Sequence, residues 1–188
     1  MNQYSDKQKE ALADRLRTGN RDAAAELVDM YYKQIYLFMR RLGHNSQISE
    51  DLTQESFLRV WQHIGQLKSG KTLNGWIYRI ASNTSKLYRR KKRNKNLFAF
   101  EQLDVPDNKL PDGDQKAVHN EQITRLKNVV EVLPMKSKQV IILHYMQNLS
   151  IAEAAEAVGI RQGTFKSRLN RALKNLRNQV LSKNGELL

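Results

Sequence analysis

Apolar residues recur at steps of three and four along most of the chain. Between Ala23 and Leu42 they fall at Leu27, Met30, Tyr31, Ile35, Phe38, Met39 and Leu42, which is one stripe of an amphipathic helix. Asn20 or Asp22 can cap its start, and Gly43 ends it. A short helix, Lys7–Leu16, precedes it. Leu52, Phe57, Val60, Trp61 and Ile64 predict a further helix from Ile48 to Ile64, stopped at Gly65. The next runs from Leu73 to Arg93, with Trp76, Ile77, Ile80, Ala81, Thr84 and Leu87 facing inward. No alternating run is long enough to predict a sheet, so the first part reads as a helical bundle.

The second part repeats the style. Glu121–Val132 has helical spacing, and Pro134 breaks it and starts another helix over Lys136–Met146. Ser150 caps Ile151–Val158, with Glu153 completing a capping box, and Gly159 turns the chain. A long helix follows from Gln162 to Leu181, striped by Phe165, Leu169, Ala172, Leu176 and Val180. Two helices joined by a short glycine-containing turn have the form of a helix-turn-helix.

Charge divides the chain further. Residues 1–95 hold 19 basic and 9 acidic side chains, a net of +10, and residues 116–188 hold 12 against 5, a net of +7. Residues 96–115 hold 1 against 5, a net of −4, together with Pro106, Pro111 and Asp-Asn and Asp-Gly turn pairs. The predicted fold is therefore all-α: two small helical domains, 1–95 and 116–188, joined by a flexible acidic linker, with the helix-turn-helix in the second. The linker reads either as a solvated connector or as a spacer that lets the domains sit on separate stretches of one polyanion.

The overall charge of +13 over 188 residues points to a polyanionic partner, nucleic acid before an acidic membrane surface. There is no cysteine, which excludes disulfides, thiolate metal sites and a cysteine nucleophile. The start has no apolar core of a signal peptide, and Val140–Met146 is too short to span a bilayer. These features predict a cytoplasmic protein without membrane insertion.

Three clusters carry candidate chemistry. Arg161, Lys166, Arg168, Arg171, Lys174, Arg177 and Lys183 crowd the last helix with no acid among them. Thr164, Lys166, Ser167, Asn170 and Arg171 lie largely off its apolar stripe near the helix start, the end that enters a major groove. A basic solvated face is the plain alternative. Second, Lys86, Arg89, Arg90, Lys91, Lys92, Arg93 and Lys95 follow a helix bearing Trp76, Tyr78 and Tyr88. Charge beside aromatic rings suits an unstacked strand, and the polar loop Lys68–Asn74 can hold an extruded base. A tether without sequence reading and a membrane-surface patch are the alternatives, but no apolar anchor adjoins the cluster. Third, Glu50, Asp51, Gln54 and Glu55 form an acidic face. In so basic a chain it reads as a protein docking patch or as solvated charge. Asp51 and Glu55, four apart on one face, could bind a metal or act as acid and base, but this is not the expectation, since no histidine stands at ligand spacing. No Gly-rich phosphate loop or nucleophile motif is present. The four histidines are scattered, and neither a metal, a cofactor nor an enzyme activity is expected.

Taken in order, YYKQIYLFMRRLG, DLTQESFLRVWQHI, NGWIYRIASNTSKLYRRKKR and the stretch from Leu133 to Arg177 resemble bacterial sigma factors of the extracytoplasmic-function (ECF) group. The resemblance covers nearly the whole chain, and Asp51–Trp61 with Gly163–Leu176 are its most specific parts. It implies a first domain that grips core RNA polymerase and opens the promoter −10 element, and a second that reads the −35 element. By match, Asp51, Gln54 and Glu55 contact the polymerase clamp, supported by Phe57, Leu58 and Trp61. The −10 set becomes Lys68, Ser69, Lys71, Asn74, Trp76, Arg79, Asn83, Arg89 and Arg90. The −35 set becomes Arg161, Gly163, Thr164, Lys166, Ser167, Asn170 and Arg171. Leu87 departs from the Asp or Asn that many relatives carry there. An anti-sigma factor is implied as a further partner. The rival readings are a helix-turn-helix regulator that does not replace sigma, which has no need of the Asp51–Trp61 helix, and a metal-dependent nuclease.

Overall fold

The computed structural model describes residues 5–96 and 133–185. The predicted linker 96–115 and the helix Glu121–Val132 lie outside the described residues, apart from Asn96. The first domain comprises α1 (Asp6–Arg17), α2 (Arg21–Arg41), α3 (Ser46–His63) and α4 (Leu73–Asn96). Two 3-10 turns, Ile64–Gln66 and Gly70–Thr72, lie between α3 and α4. The second comprises α5 (Met135–Ile141), a π turn over Ile142–Met146, α6 (Ile151–Val158) and α7 (Gln162–Gly185). No strand occurs among the described residues.

Local chemistry sets the helix starts. Ser5 and Gln8 cap α1 reciprocally, and Asn20 accepts from the Ala23 amide at 2.9 Å to start α2. Helix α3 starts two residues before its expected position, because the Asn45 side chain accepts from the Ile48 amide at 2.8 Å. Gly43 turns the chain after α2 at φ +92°, a conformation that strains residues with a Cβ.

The stripe of α2 is the spine of the first core. Leu27, Tyr31, Ile35, Phe38 and Met39 are all buried there, each stabilising by roughly 1.5–3 kcal/mol relative to exposure. The Tyr78 ring meets Phe38 edge-on, with centroids 5.4 Å apart. The inner face of α3 is more polar than its stripe suggests, since Ser49, Thr53 and Ser56 are buried beside Leu52 and Val60. Thr53 and Ser56 donate back to the Ser49 and Leu52 carbonyls, both at 2.6 Å, so their hydroxyls are satisfied inside their own helix. Small side chains leave α3 able to approach its neighbours closely.

In the second domain, a continuous helix over Lys136–Met146 is not what forms. The α-helix stops at Ile141 and widens into a π turn, where the Gln147 amide donates to the Ile142 carbonyl. Val140, Ile141, Ile142 and Leu143 are consecutive and all buried. Beyond them the wider turn leaves Tyr145 exposed and the Met146 carbonyl available to another helix.

The two domains pack on each other through α4 and α6. Asn74 donates to Glu153 at 2.7 Å, Tyr78 donates to the Gln147 side chain at 2.9 Å, and Arg41 donates to the Met146 carbonyl at 2.8 Å. Burial pushes the Tyr78 phenol well above its ordinary range and lowers the Arg41 guanidinium.

Candidate protein-docking and nucleic-acid surfaces

Helix α3 presents two unlike faces. Its inner face is the packed one described above. On its outer face Asp51, Gln54, Leu58 and Trp61 are exposed at steps of three and four. Leu58 is 58% and Trp61 is 40% exposed, which is unusual for large apolar side chains on a well-packed helix. Glu55 is half-buried and pairs with Arg59 at 2.7 Å. Phe57 is half-buried and stacks on Tyr32 of α2, with centroids 6.3 Å apart and planes 12° off parallel. Tyr32 is 37% exposed and carries the apolar patch onto α2. Helical spacing does not mark Tyr32, because it stands off the α2 stripe next to the buried Tyr31.

The end of α3, the following turn and α4 enclose a groove of about 510 Å³. Lys68, Trp76, Arg79 and Asn83 line it, along with Arg59, His63, Gln66 and Thr72. Arg79 and Asn83 are exposed, whereas Trp76 is mostly sunk into the wall.

The rest of the predicted −10 set is placed elsewhere. The Ser69 hydroxyl donates to Glu10 of α1 at 2.8 Å, and the Gly70 amide donates to the same carboxylate at 2.9 Å. These bonds, the Ser69 one foremost, hold the Glu10 carboxyl below its ordinary range. A Cβ on Gly70 would stand 2.4 Å from the Glu10 Cα, so the loop lies directly on the α1 backbone. Lys71 is exposed at the loop tip. Asn74 is 5% exposed, because it accepts from the Tyr31 hydroxyl and donates to Glu153. In this arrangement its side chain is held within the protein and turned away from solvent. Arg89 is half-buried and clamps the Leu42 carbonyl at the end of α2, and burial lowers its guanidinium. Arg90 is exposed.

The helix-turn-helix forms as its sequence predicts. Ser150 and Glu153 cap α6 as a box, and Gly159 ends it at φ +73° in the left-handed region. Helix α7 begins at Gln162, with Phe165, Leu169 and Ala172 buried. Arg161, Gly163, Thr164, Lys166, Ser167, Asn170 and Arg171 are all exposed at its first turns. Ser167 donates to the Gly163 carbonyl at 3.0 Å, so its hydroxyl hydrogen is used within the helix while its oxygen can still accept. Sequence reasoning did not single out Glu153 or Glu156 as partners of α4. In the sequence Glu153 shows only as a cap, whereas in the structure it accepts from Asn74 and Glu156 lines the same groove as Arg79.

Residues 27–95 match the model of Sigma-70 region 2, and residues 123–176 match that of Sigma-70 region 4. An all-helical region 2 followed by a region 4 helix-turn-helix defines a transcription initiation factor of the sigma-70 class. The chain is 31% identical over 176 residues to the ECF RNA polymerase sigma factor SigW of Bacillus subtilis (strain 168), spanning 88% of this chain and 92% of SigW. Its fold resembles that of CnrH in complex with the cytosolic domain of CnrY, with TM-score 0.68, 19% identity and coverage of 93% and 97%. It also resembles that of RpoE in complex with the anti-sigma factor NepR from Bartonella quintana, with TM-score 0.70, 20% identity and coverage of 83% and 95%. The chain belongs to the ECF sigma factors.

Proposed function

We propose a division of this sigma factor's work among three surfaces. The outer face of α3 docks core RNA polymerase through Asp51, Gln54, Glu55, Leu58 and Trp61, with Phe57 and Tyr32 bracing it. The groove along α4 takes up an unstacked strand of the −10 element, using Trp76, Arg79, Asn83 and Lys68, with Lys71 and Arg90 at its approaches. The first turns of α7 read the −35 element in the major groove. Melting is driven by binding energy, as unstacked bases exchange one another for protein pockets at about a few kcal/mol each. The protein performs no covalent chemistry of its own, acts in the cytoplasm, and is held in check by an anti-sigma factor. Among the described residues, no helix is long and apolar enough to cross a membrane.

One observation carries the docking assignment: Leu58 and Trp61 stand exposed on the same face as Asp51 and Gln54, while the opposite face of α3 fills the core. An apolar centre edged by polar groups is the composition of a binding hot spot.

The test is run-off transcription with bacterial core polymerase on a pool of promoter fragments, with and without the protein. Defined start sites that arise only with the protein are the expected result. Sequence-specific DNA binding without transcription would instead favour a regulator that does not replace sigma.

A further inference from the structure

Helix α1 lies ahead of residues 27–95, the part that matches Sigma-70 region 2, and none of its residues lines the α4 groove. It nevertheless fastens the loop that forms one wall of that groove. Gln66, Leu67, Lys68 and Thr72 belong to this wall. Arg17 donates to the Leu67 carbonyl at 2.8 Å. The Glu10 carboxylate accepts from the Ser69 hydroxyl at 2.8 Å and from the Gly70 amide at 2.9 Å. Gly70 is buried against the backbone of Lys9 and Glu10.

Ser69 passes this hold along the loop. Its side-chain oxygen accepts from the Lys71 amide at 3.2 Å and starts the 3-10 turn. Its carbonyl accepts from the Thr72 hydroxyl at 2.9 Å and the Thr72 amide at 3.1 Å. One carboxylate thus fixes Ser69, and Ser69 fixes the turn. Lys68, Lys71 and Thr72 are left exposed around it.

We propose that Glu10 is a positioning residue for −10 recognition: from outside the groove, it holds the 68–72 loop in the shape that receives an unstacked base. The inference rests on the groove being the strand's site. The physical reason is preorganisation. A loop fixed before the strand arrives loses little freedom on binding, so more of its contact energy is left to discriminate between bases. Without the carboxylate, the buried Gly70 amide loses its acceptor and the Ser69 hydroxyl loses its anchor, so the turn loosens. Arg17 holds the near end of the loop and Glu10 the far end, and neither has to touch DNA.

The test uses holoenzyme assembled from bacterial core polymerase and the full chain. A promoter fragment that wild type selects in run-off transcription is compared with the same fragment carrying a scrambled −10 element. Permanganate reactivity of thymines in the melted region gives the rate of opening on each.

Wild type should open the intact fragment faster than the scrambled one. Glu10→Ala should keep its affinity for core and for −35 duplex. Its preference for the intact −10 element should fall about tenfold, the effect of losing one hydrogen bond to a charged group. Glu10→Gln, which keeps an acceptor oxygen, should recover part of that preference. Ser69→Ala should lower it as well, and the double variant should lose less than the product of the two separate losses, since both remove the same bond. An unchanged preference in Glu10→Ala would overturn the proposal, as would an equal loss on both fragments or losses that multiply in full. If wild type opened no fragment, the proposal would fall together with the sigma-factor reading. A wild type that discriminates, matched by its variants, would overturn the proposal alone.

Discussion

The Asn74 side-chain amide donates to the Glu153 carboxylate at 2.7 Å, across a separation of 79 residues. Each residue also serves its own domain. Asn74 accepts from the Tyr31 hydroxyl in the first core, and Glu153 closes the capping box with Ser150 in the second. A local helix start and a domain interface thus share one carboxylate.

That sharing sets a pH dependence. Burial raises the Glu153 carboxyl, but bonds from the Ser150 hydroxyl, the Asn74 amide and the Ser150 backbone outweigh it, and the net shift is downward. Its contribution to stability is therefore complete above the ordinary carboxylate value of 4.5 and is lost as pH falls through the lowered folded value. In urea unfolding, the gap between wild type and Glu153→Gln should hold steady from about pH 7 to about pH 5 and shrink below that. A gap that widens on acidification would contradict the assignment. Ser150→Ala should cost about 1 kcal/mol through the lost cap.

The Glu10 carboxylate should govern the order of the loop at 69–72. Glu10→Ala removes the acceptor for both the Ser69 hydroxyl and the Gly70 amide. Hydrogen exchange should then speed up at the amides of 70–72 while the α2 core stays protected. Gly70→Ala should be harsher, about 1–3 kcal/mol, because its Cβ meets α1 backbone at 2.4 Å. Unchanged exchange in Glu10→Ala would show that packing alone holds the loop.

Leu58→Ala and Trp61→Ala should separate binding from folding. Both side chains are exposed, so unfolding free energy should move by about 0.5 kcal/mol or less. Affinity for core polymerase should fall by about 2 kcal/mol for Trp61→Ala, or about thirtyfold, as for a hot-spot residue. Tyr32→Ala should weaken it too, by removing the ring that braces Phe57. Equal loss of stability and affinity would mean that the patch is structural.

On α7, neighbouring positions should behave oppositely. Phe165 is fully buried, and Phe165→Ala should cost about 3–5 kcal/mol of stability. Lys166→Ala and Arg171→Ala should leave stability unchanged and weaken −35 recognition by about 1–3 kcal/mol if each makes a good base contact. Binding titrations on cognate and scrambled duplexes decide the matter, since equal losses on both would assign these residues to phosphate alone.

Much of the architecture is written in short-range pattern. The stripe of α2 needs only steps of three and four, and Leu27, Tyr31, Ile35, Phe38, Met39 and Leu42 are all buried in the structure. Ser150, Glu153 and Gly159 mark both ends of α6 because capping depends on residues within one turn. The exposed basic turns of α7 follow from the same periodicity. The π turn over Ile142–Met146 leaves no such trace in the sequence, because four consecutive apolar residues give no phase to a helical pattern.

What the tertiary structure decided is how residues distant in sequence spend their polar groups. Ser69, Asn74 and Arg89 have the chemistry to meet DNA, yet their bonds go to Glu10, to Tyr31 and Glu153, and to the Leu42 carbonyl. Tyr32 joins the α3 patch only because α2 and α3 lie side by side. That Glu156 and Arg79 line one groove is likewise a property of α6 packing on α4. Periodicity and caps act over a few residues and leave a trace in the chain. A hydrogen bond across 79 residues exists only once both helices are placed, and no local pattern encodes its partner.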